Sequence, residues 1–114
     1  MKKLILPVLM IVSLTAFAED TPKRVPHATA VQSVTTKIVP DYSPIAKQLK
    51  IQGSVELEAV IGEDGSVEKV NIISGNPVLT KPASEALKKW KFKPFLEGDK
   101  PIKVVSSFDF DFKL

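Results

Sequence analysis

Few side chains in this sequence could perform catalysis or bind a metal. Cysteine is absent and His27 is the only histidine, which excludes thiolate metal sites, thiol nucleophiles and sites built on several imidazoles. Asp109 and Asp111 stand two apart on a predicted strand, so their carboxyls share one face about 7 Å apart, a spacing conceivable for acid–base chemistry. A solvated strand face explains this pair better, and a turn explains Glu63 and Asp64. We therefore expect no enzyme activity, no metal site and no cofactor.

The composition is that of a small globular domain. Of 114 residues, 44% are hydrophobic and 25% are charged, which argues against a wholly disordered chain. The formal net charge is +3, and removal of an N-terminal signal carrying Lys2 and Lys3 would lower it by two. Phosphate binding needs a concentrated basic face, so we expect no nucleic-acid partner.

The N-terminus has the pattern of an export signal. Lys2 and Lys3 precede an uncharged apolar run that ends in the small-x-small sequence Ala16-Phe17-Ala18. The run is shorter than the about 20 residues of a membrane-spanning helix, so an uncleaved membrane anchor is the less favoured alternative. We predict a signal peptide over residues 1–18, a flexible leader over 19–37 and a folded domain over 38–114.

Local patterns predict a helix followed by a hairpin at the start of the folded domain. Ser43 is a suitable N-cap for a short helix with Pro44 in its first turn, and Gly53 is expected to end it. Alternating apolar residues predict a strand to Ile61 and an Asp-Gly turn over residues 62–66.

The second half of the domain is predicted to be a strand, a helix and a strand. The return strand of the hairpin, residues 67–74, breaks its alternation once, which predicts a bulge near Glu68 or Lys69. A helix over 81–91 is expected next, capped by Thr80, with Trp90 on its buried face. Residues 102–114 then alternate between a largely apolar and a largely polar face, which predicts a strand much longer than the usual 5–6 residues.

These elements predict an α+β fold of two layers. Elements that are apolar on one side only must pack against each other, so two helices should cover one face of a three-stranded antiparallel sheet. We expect the strand order second, first, third, with a right-handed crossover between the second and third strands. The last strand is then at the edge of the sheet, with unpaired backbone groups.

The order and spacing of several short motifs resemble a known family, the C-terminal domain of the TonB energy-transducer proteins of Gram-negative bacteria. The matching stretches are Tyr42-Ser43-Pro44, Ile51-Gln52-Gly53-Ser54-Val55, Glu63-Asp64-Gly65-Ser66-Val67, Ala86-Leu87-Lys88-Lys89-Trp90-Lys91-Phe92-Lys93-Pro94 and the aromatic-rich Phe108 to Leu114. The resemblance implies an α-β-β-α-β domain. It also implies that the domain binds, in the periplasm, an extended "TonB box" segment of an outer-membrane transporter, added as a strand beside the last strand.

The resulting hypothesis is a periplasmic binding module that docks this segment by strand addition. The expected docking edge comprises Val104, Val105, Ser106, Ser107, Phe108 and Asp109. Full-length family members keep a membrane-spanning helix and a long spacer, whereas a signal peptide and a short leader are expected here, which favours binding without energy transduction. The alternative is a structural domain that forms homodimers through the same edge strand, with no role in transport.

Overall fold

The computed structural model describes residues 21–114, so the predicted signal peptide over residues 1–18 lies outside the described residues. The helices are α1 (His27–Gln32), α2 (Pro44–Gln48) and α3 (Pro77–Lys88). The strands are β1 (Lys23–Arg24), β2 (Val34–Thr36), β3 (Gly53–Ile61), β4 (Val67–Ser74), β5 (Lys91–Phe92), β6 (Phe95–Glu97), β7 (Lys100–Ile102) and β8 (Val104–Phe112).

The main sheet has four strands in the order β1-β8-β3-β4. Strand β3 is central and pairs antiparallel with both β4 and β8, while β1 pairs parallel with the start of β8. The three predicted strands have the expected antiparallel order, as β4-β3-β8. The expected number of strands is wrong, because a short segment upstream of the predicted domain adds a fourth, parallel strand. Two further ribbons, β2 with β5 and β6 with β7, lie outside this sheet.

The two long pairings of β3 differ in regularity. Strands β3 and β8 pair without interruption from Gly53 opposite Phe112 to Ile61 opposite Val104. The pairing of β3 with β4 shifts register twice, and one shift leaves Glu68 unpaired between Val67 and Lys69. The bulge predicted near Glu68 or Lys69 is thus confirmed, because the break in alternation marks the extra residue.

One layer of helix covers one face of the sheet. The alternation of β3 places Val55, Leu57, Ala59 and Ile61 on the buried face, and helix α3 packs on this side with Leu79, Ala83 and Leu87 fully buried. The core also contains aromatic side chains from β8 and from the segment after α3. These are Trp90, Phe92, Phe95, Phe108 and Phe112.

Helix α2 begins as predicted and ends differently. The Ser43 hydroxyl accepts a hydrogen bond from the Ala46 N–H at 3.2 Å, and Pro44 occupies the first turn. The helix ends at Gln48, and Lys50 takes the left-handed conformation with φ of 54°. The prediction that Gly53 ends the helix is wrong, because Gly53, with φ of 146°, is the first residue of β3.

Helix α3 begins earlier than predicted. Asn76 is its N-cap and accepts from the Val78 N–H at 2.9 Å, with Pro77 in the first turn. Thr80, the expected cap, lies inside the helix, where its hydroxyl donates to the Pro77 carbonyl. Pro82 lies in the interior of the helix, six positions after Asn76.

The last strand is shorter than predicted at both ends. Strand β8 comprises Val104–Phe112, and Ile102 belongs to β7, which forms a ribbon with β6. The alternation alone could not reveal this boundary, because Ile102 continues the apolar pattern of β8.

The segment predicted to be a flexible leader contributes regular structure. Residues 21–37, its described part, contain β1, α1 and β2. Ala30 of α1 is completely buried in the core, and the Ser33 carbonyl accepts from the Lys93 N–H at 2.8 Å. This part of the predicted flexible leader therefore contains short elements that the sequence did not predict, since only one side chain of α1 is buried and no periodic apolar face indicates the helix.

Candidate functional site

The predicted docking residues lie on β8, with alternate side chains on opposite faces of the sheet. Val104, Ser106 and Phe108 are buried on the core face. Asp109 is exposed, Ser107 is half-buried and Val105 is buried on the opposite face. Little of this stretch is therefore accessible through its side chains, and a partner would have to recognise it mainly through the backbone.

One side of β8 is fully occupied by β3. The regular antiparallel pairing uses the backbone groups of the even-numbered residues of β8, because N–H and C=O groups alternate in direction along a strand. The odd-numbered residues, including Asp109 and Asp111, direct their backbone groups to the outer side. This outer side is the surface on which a further strand could pair.

The chain itself occupies the beginning of the outer side. Lys23 N–H donates to the Lys103 carbonyl at 3.0 Å, and Val25 N–H donates to the Val105 carbonyl at 3.0 Å. We call the segment Lys23–His27 the N-terminal strap. The prediction that β8 is a free edge strand is thus wrong at Val104 and Val105, which pair with Lys23 and Arg24.

The strap makes two more hydrogen bonds to β8 beyond these strand pairs. The Ser106 hydroxyl donates to the Val25 carbonyl at 2.9 Å, and the His27 ring donates from Nδ1 to the Ser107 carbonyl at 2.8 Å. The His27 ring also packs edge-to-face on Phe108, with centroids 5.5 Å apart. Four of the six predicted docking residues, Val104 to Ser107, therefore already lie beside the strap, which bonds to the last three of them.

Two ion pairs connect the strap to the rest of the domain. Arg24 donates to the carboxylate of Glu58 on β3, and this hydrogen bond holds the pKa of Glu58 below its ordinary value. Lys23 Nζ lies 2.8 Å from a carboxylate oxygen of Glu97, whose pKa is lowered by that hydrogen bond. The second pair is solvent-exposed, with side-chain exposures of 59% and 62%, so it contributes little to stability.

Beyond Ser107, β8 has no strand on its outer side among residues 21–114. A groove of about 350 Å³ opens there, beside the second half of the strand. Its lining combines α1, β2 and β8 with the tryptophan that follows α3, and the residues are His27, Val31, Val34, Lys37, Trp90, Phe108, Asp109, Phe110 and Asp111. Of the six predicted docking residues, Phe108 and Asp109 line this groove.

Trp90 forms the aromatic base of the groove and belongs to the core. Its ring is 5% exposed and packs edge-to-face on Phe108 and Phe110, with centroid separations of 5.6 and 5.7 Å. Its Nε1–H donates to the Ile38 carbonyl at 2.9 Å, and Lys37 Nζ lies 5.7 Å from the ring centre. The contribution of Lys37 was missed from the sequence, because residues 19–37 showed no periodicity that would place them against the core.

Two of the four acidic residues considered for catalysis or metal binding, Asp64 and Asp111, have other partners. Asp64 accepts from the Ser66 N–H at 2.9 Å, which lowers the pKa of Asp64 and closes the hairpin turn. Asp111 accepts a hydrogen bond from the Ser54 hydroxyl. Across residues 21–114, no three histidine or acidic side chains converge in a geometry that could hold a metal ion. In the same part of the chain, every helix is too short or too polar to span a bilayer.

The fold and the outer side of β8 define a class, that of small two-layer α+β domains with a partly open edge strand. Residues 38–114 match the family model described as Gram-negative bacterial TonB protein C-terminal. The match covers more than half of the chain, and the chain therefore belongs to this family. The resemblance found in the sequence motifs is confirmed.

Two relatives agree with this assignment. Protein TonB of Vibrio cholerae serotype O1 (strain ATCC 39315 / El Tor Inaba N16961) is 32% identical over 71 residues, which are 60% of this chain and 29% of that protein. The chain thus spans less than a third of the length of that relative. The solution NMR structure of the Pseudomonas aeruginosa TonB CTD superposes with a TM-score of 0.61 at 24% identity, covering 71% of this chain and 84% of that chain, which supports the fold.

Proposed function

We propose that this domain binds an extended segment of a TonB-dependent outer-membrane transporter by adding it as a strand to the outer side of β8. Membership of the TonB C-terminal family supports an interaction with such transporters. The observation that carries strand addition is the unpaired outer side of β8 beyond Ser107, where the backbone groups of Asp109 and Asp111 face an open groove. The domain acts as a binding module and not as an enzyme.

Backbone pairing supplies affinity in this mode of recognition, and side-chain pockets supply selectivity. A strand on the outer side would hydrogen-bond with Asp109 and Asp111, and alternate side chains of that strand would enter the groove over Trp90. Trp90 and Phe110 offer apolar contact there, while Lys37 and Asp109 offer opposite charges. The groove therefore suits a short extended peptide with mixed apolar and polar side chains.

The test is a titration of ¹⁵N-labelled protein with peptides copied from the N-terminal segments of TonB-dependent outer-membrane transporters. Binding by strand addition is expected to shift the amide signals of Phe108 to Phe112. Asp109→Pro removes one outward N–H without removing a bond to β3 and is expected to weaken binding about 2- to 10-fold. Absence of shifts in β8 at saturating peptide would contradict strand addition.

The opposite edge of the sheet offers a matched control. By the same alternation the Ile72 N–H of β4 points away from β3, and the Ile72 side chain is 55% exposed. Ile72→Pro therefore removes an outward N–H of the same kind from the other edge, and peptide affinity should stay unchanged. If both proline variants lower the affinity equally, the effect is loss of stability and the assignment of the β8 edge is wrong.

A second copy of the chain is the competing occupant of this edge. Antiparallel pairing of two β8 strands would use the same outward groups of Asp109 and Asp111. Sedimentation velocity over a hundredfold range of concentration separates the two cases. A monomer throughout excludes the homodimer, whereas a dimer that dissociates on adding transporter peptide would place both partners on one edge.

We also propose that residues 1–18 direct export and are removed, so that the domain acts in the periplasm. Family membership supports this location, since the TonB C-terminal domain is periplasmic. The mass of protein recovered from the periplasm of expressing cells should correspond to a chain beginning at Glu19. Recovery of the full chain in the inner membrane would instead support the alternative of an uncleaved anchor.

A further inference from the structure

We infer that the N-terminal strap is an internal competitor for the docking edge, so that a partner peptide pairs along the whole of β8 only after the strap leaves it. This inference rests on the proposed strand addition at β8. The strap occupies Lys103 to Ser107, which is continuous with the open stretch from Phe108 to Asp111. The outer edge of β8 is therefore divided between a stretch that the strap covers and a stretch on which no strand of residues 21–114 pairs.

The strap uses the outward backbone groups that an incoming strand would need. The carbonyls of Lys103 and Val105 accept from its backbone, and the carbonyl of Ser107 accepts from its histidine ring. The Ser106 hydroxyl is also engaged, by the Val25 carbonyl. A peptide that binds over these residues cannot share them with the strap, so the two are mutually exclusive at this end of β8.

The strap can pair with β8 over a short distance only. Pro22 and Pro26 flank the first three residues of the strap, 23–25, and proline has no N–H with which to continue a ladder. Strand β1 is accordingly two residues long. An uninterrupted peptide could pair with the groups that the strap uses and also with those of Asp109 and Asp111. The longer ladder gives the peptide a source of free energy for displacing the strap.

The strap is also tethered, which keeps it available after displacement. It leads directly into α1, whose Ala30 is completely buried in the core. A displaced strap would therefore stay close to β8 at a high effective concentration and compete with any bound peptide. The apparent affinity for a partner then depends on the fraction of molecules in which the strap has left the edge.

The test compares partner affinity when the strap is weakened. Val25→Pro removes the N–H that donates to Val105, and Thr21→Pro is the matched control, since Thr21 precedes the strap. In the full chain, a labelled transporter peptide should bind Val25→Pro about 2- to 10-fold more tightly than the unmodified chain, the effect of losing about one internal hydrogen bond. Thr21→Pro should bind as the unmodified chain does.

The outcomes separate this inference from the proposed function. Equal affinity for the unmodified chain and Val25→Pro overturns the inference while strand addition stands. If no transporter peptide binds any variant, the proposed function fails, and a second probe decides on the strap. This probe is a synthetic peptide with the sequence of residues 21–27, added to ¹⁵N-labelled Val25→Pro. Shifts of the Val104 to Ser107 amides support the strap as occupant of the edge, and unchanged spectra overturn it.

Discussion

At the scale of single residues, Trp90 connects parts of the chain that are distant in sequence. It follows α3 and packs on Phe92 as well as on Phe108 and Phe110 of β8, while its Nε1–H donates to the Ile38 carbonyl. The sequence predicted its burial, and the structure confirms it with 5% exposure. The indole thus fixes the segment before α2 to the sheet and supports the groove at the same time.

Replacing Trp90 is expected to destabilise the domain strongly. Trp90→Ala should lower the free energy of unfolding by about 3–5 kcal/mol, because it removes a buried aromatic ring and leaves a cavity. Trp90→Phe keeps an aromatic ring and loses the bond to Ile38, so its effect should be smaller. Urea unfolding followed by circular dichroism measures both variants, and a near-neutral effect of the alanine would contradict the burial of the indole in the core.

The ion pair between Arg24 and Glu58 gives a pH dependence of defined sign. The Arg24 hydrogen bond holds the pKa of Glu58 below its ordinary value of 4.5, with Asn71 adding a smaller effect in the same direction and burial opposing both. A carboxyl whose pKa is lowered by folding stabilises the fold above its unfolded pKa. That contribution is lost as the pH falls through the folded pKa.

We therefore expect the stability difference between the unmodified chain and Arg24→Gln to be constant above about pH 5.5 and to shrink as the pH falls below 4.5. Urea unfolding at pH 7, 5 and 3.5 measures this difference. Lys23→Gln tests the exposed pair with Glu97 and serves as a comparison. A difference that grows on acidification would mean that folding raises the pKa of Glu58 instead of lowering it.

At the scale of elements, the hairpin turn between β3 and β4 is sterically constrained by a neighbouring strand. Gly65 has φ of 88°, a conformation that suits glycine, and a Cβ built there would lie 1.9 Å from the Phe92 carbonyl oxygen. The Phe92 N–H in turn donates to the Gly65 carbonyl at 2.9 Å. The turn therefore packs directly against β5, which leaves no room for a side chain at Gly65.

Gly65→Ala is accordingly expected to cost about 1–3 kcal/mol more than Gly98→Ala. Gly98 in the ribbon of β6 and β7 also has positive φ, 66°, but a Cβ there meets nothing within 4 Å. The pair thus separates the steric clash from the conformational cost that both share. Thermal unfolding of the two variants gives the comparison, and equal shifts would show that the turn moves away from β5 without cost.

Sequence periodicity predicted the elements whose apolar residues recur regularly and missed those without recurrence. Strand β3 and the alternation within β8 followed from the spacing of apolar residues, and the cap of α2 followed from Ser43. Strand β1 has no apolar residue, and α1 buries only Ala30, so neither element produces a periodic apolar pattern in the sequence. The position of the strap is determined by long-range hydrogen bonds to β8, and these cannot be inferred from local pattern.

The same limit applies to the candidate site. The sequence correctly predicted an alternating strand at the C-terminus. Whether that strand is a free edge depends on the segment that pairs beside it, and this segment is β1. Lys23 and Val25 are more than 75 residues away from their partners in sequence. Pro22 and Pro26 favoured a flexible leader, although the same prolines also allow a short strand between them.

At the scale of the whole molecule, the sheet has a graded stability. Strand β3 is paired on both sides and carries four buried side chains on the core face, whereas β1 is two residues long and exposed. Backbone amides in central, buried strands open only with global unfolding, and those of short edge segments open locally.

Hydrogen exchange followed by NMR should show this order. The amides of Leu57 and Ala59 are expected to exchange the slowest, and those of Lys23 and Val25 orders of magnitude faster, because the strap opens without disturbing the core. Val25→Pro should leave the exchange of Leu57 nearly unchanged. Protection of Val25 equal to that of Leu57 would instead make the strap an integral part of the cooperative fold.

The two register shifts between β3 and β4 have a consequence for crowded solutions. Each bulge kinks β4 and increases its local twist, so its outer rim lacks the flat ladder on which identical chains stack into fibrils. Strand β8, with nine residues paired to β3 without interruption, is the edge more suited to association between identical chains. There the N-terminal strap covers part of the backbone. Both edges of the sheet are thus less open to association between identical molecules, one because the bulges distort β4 and the other because the N-terminal strap covers part of β8.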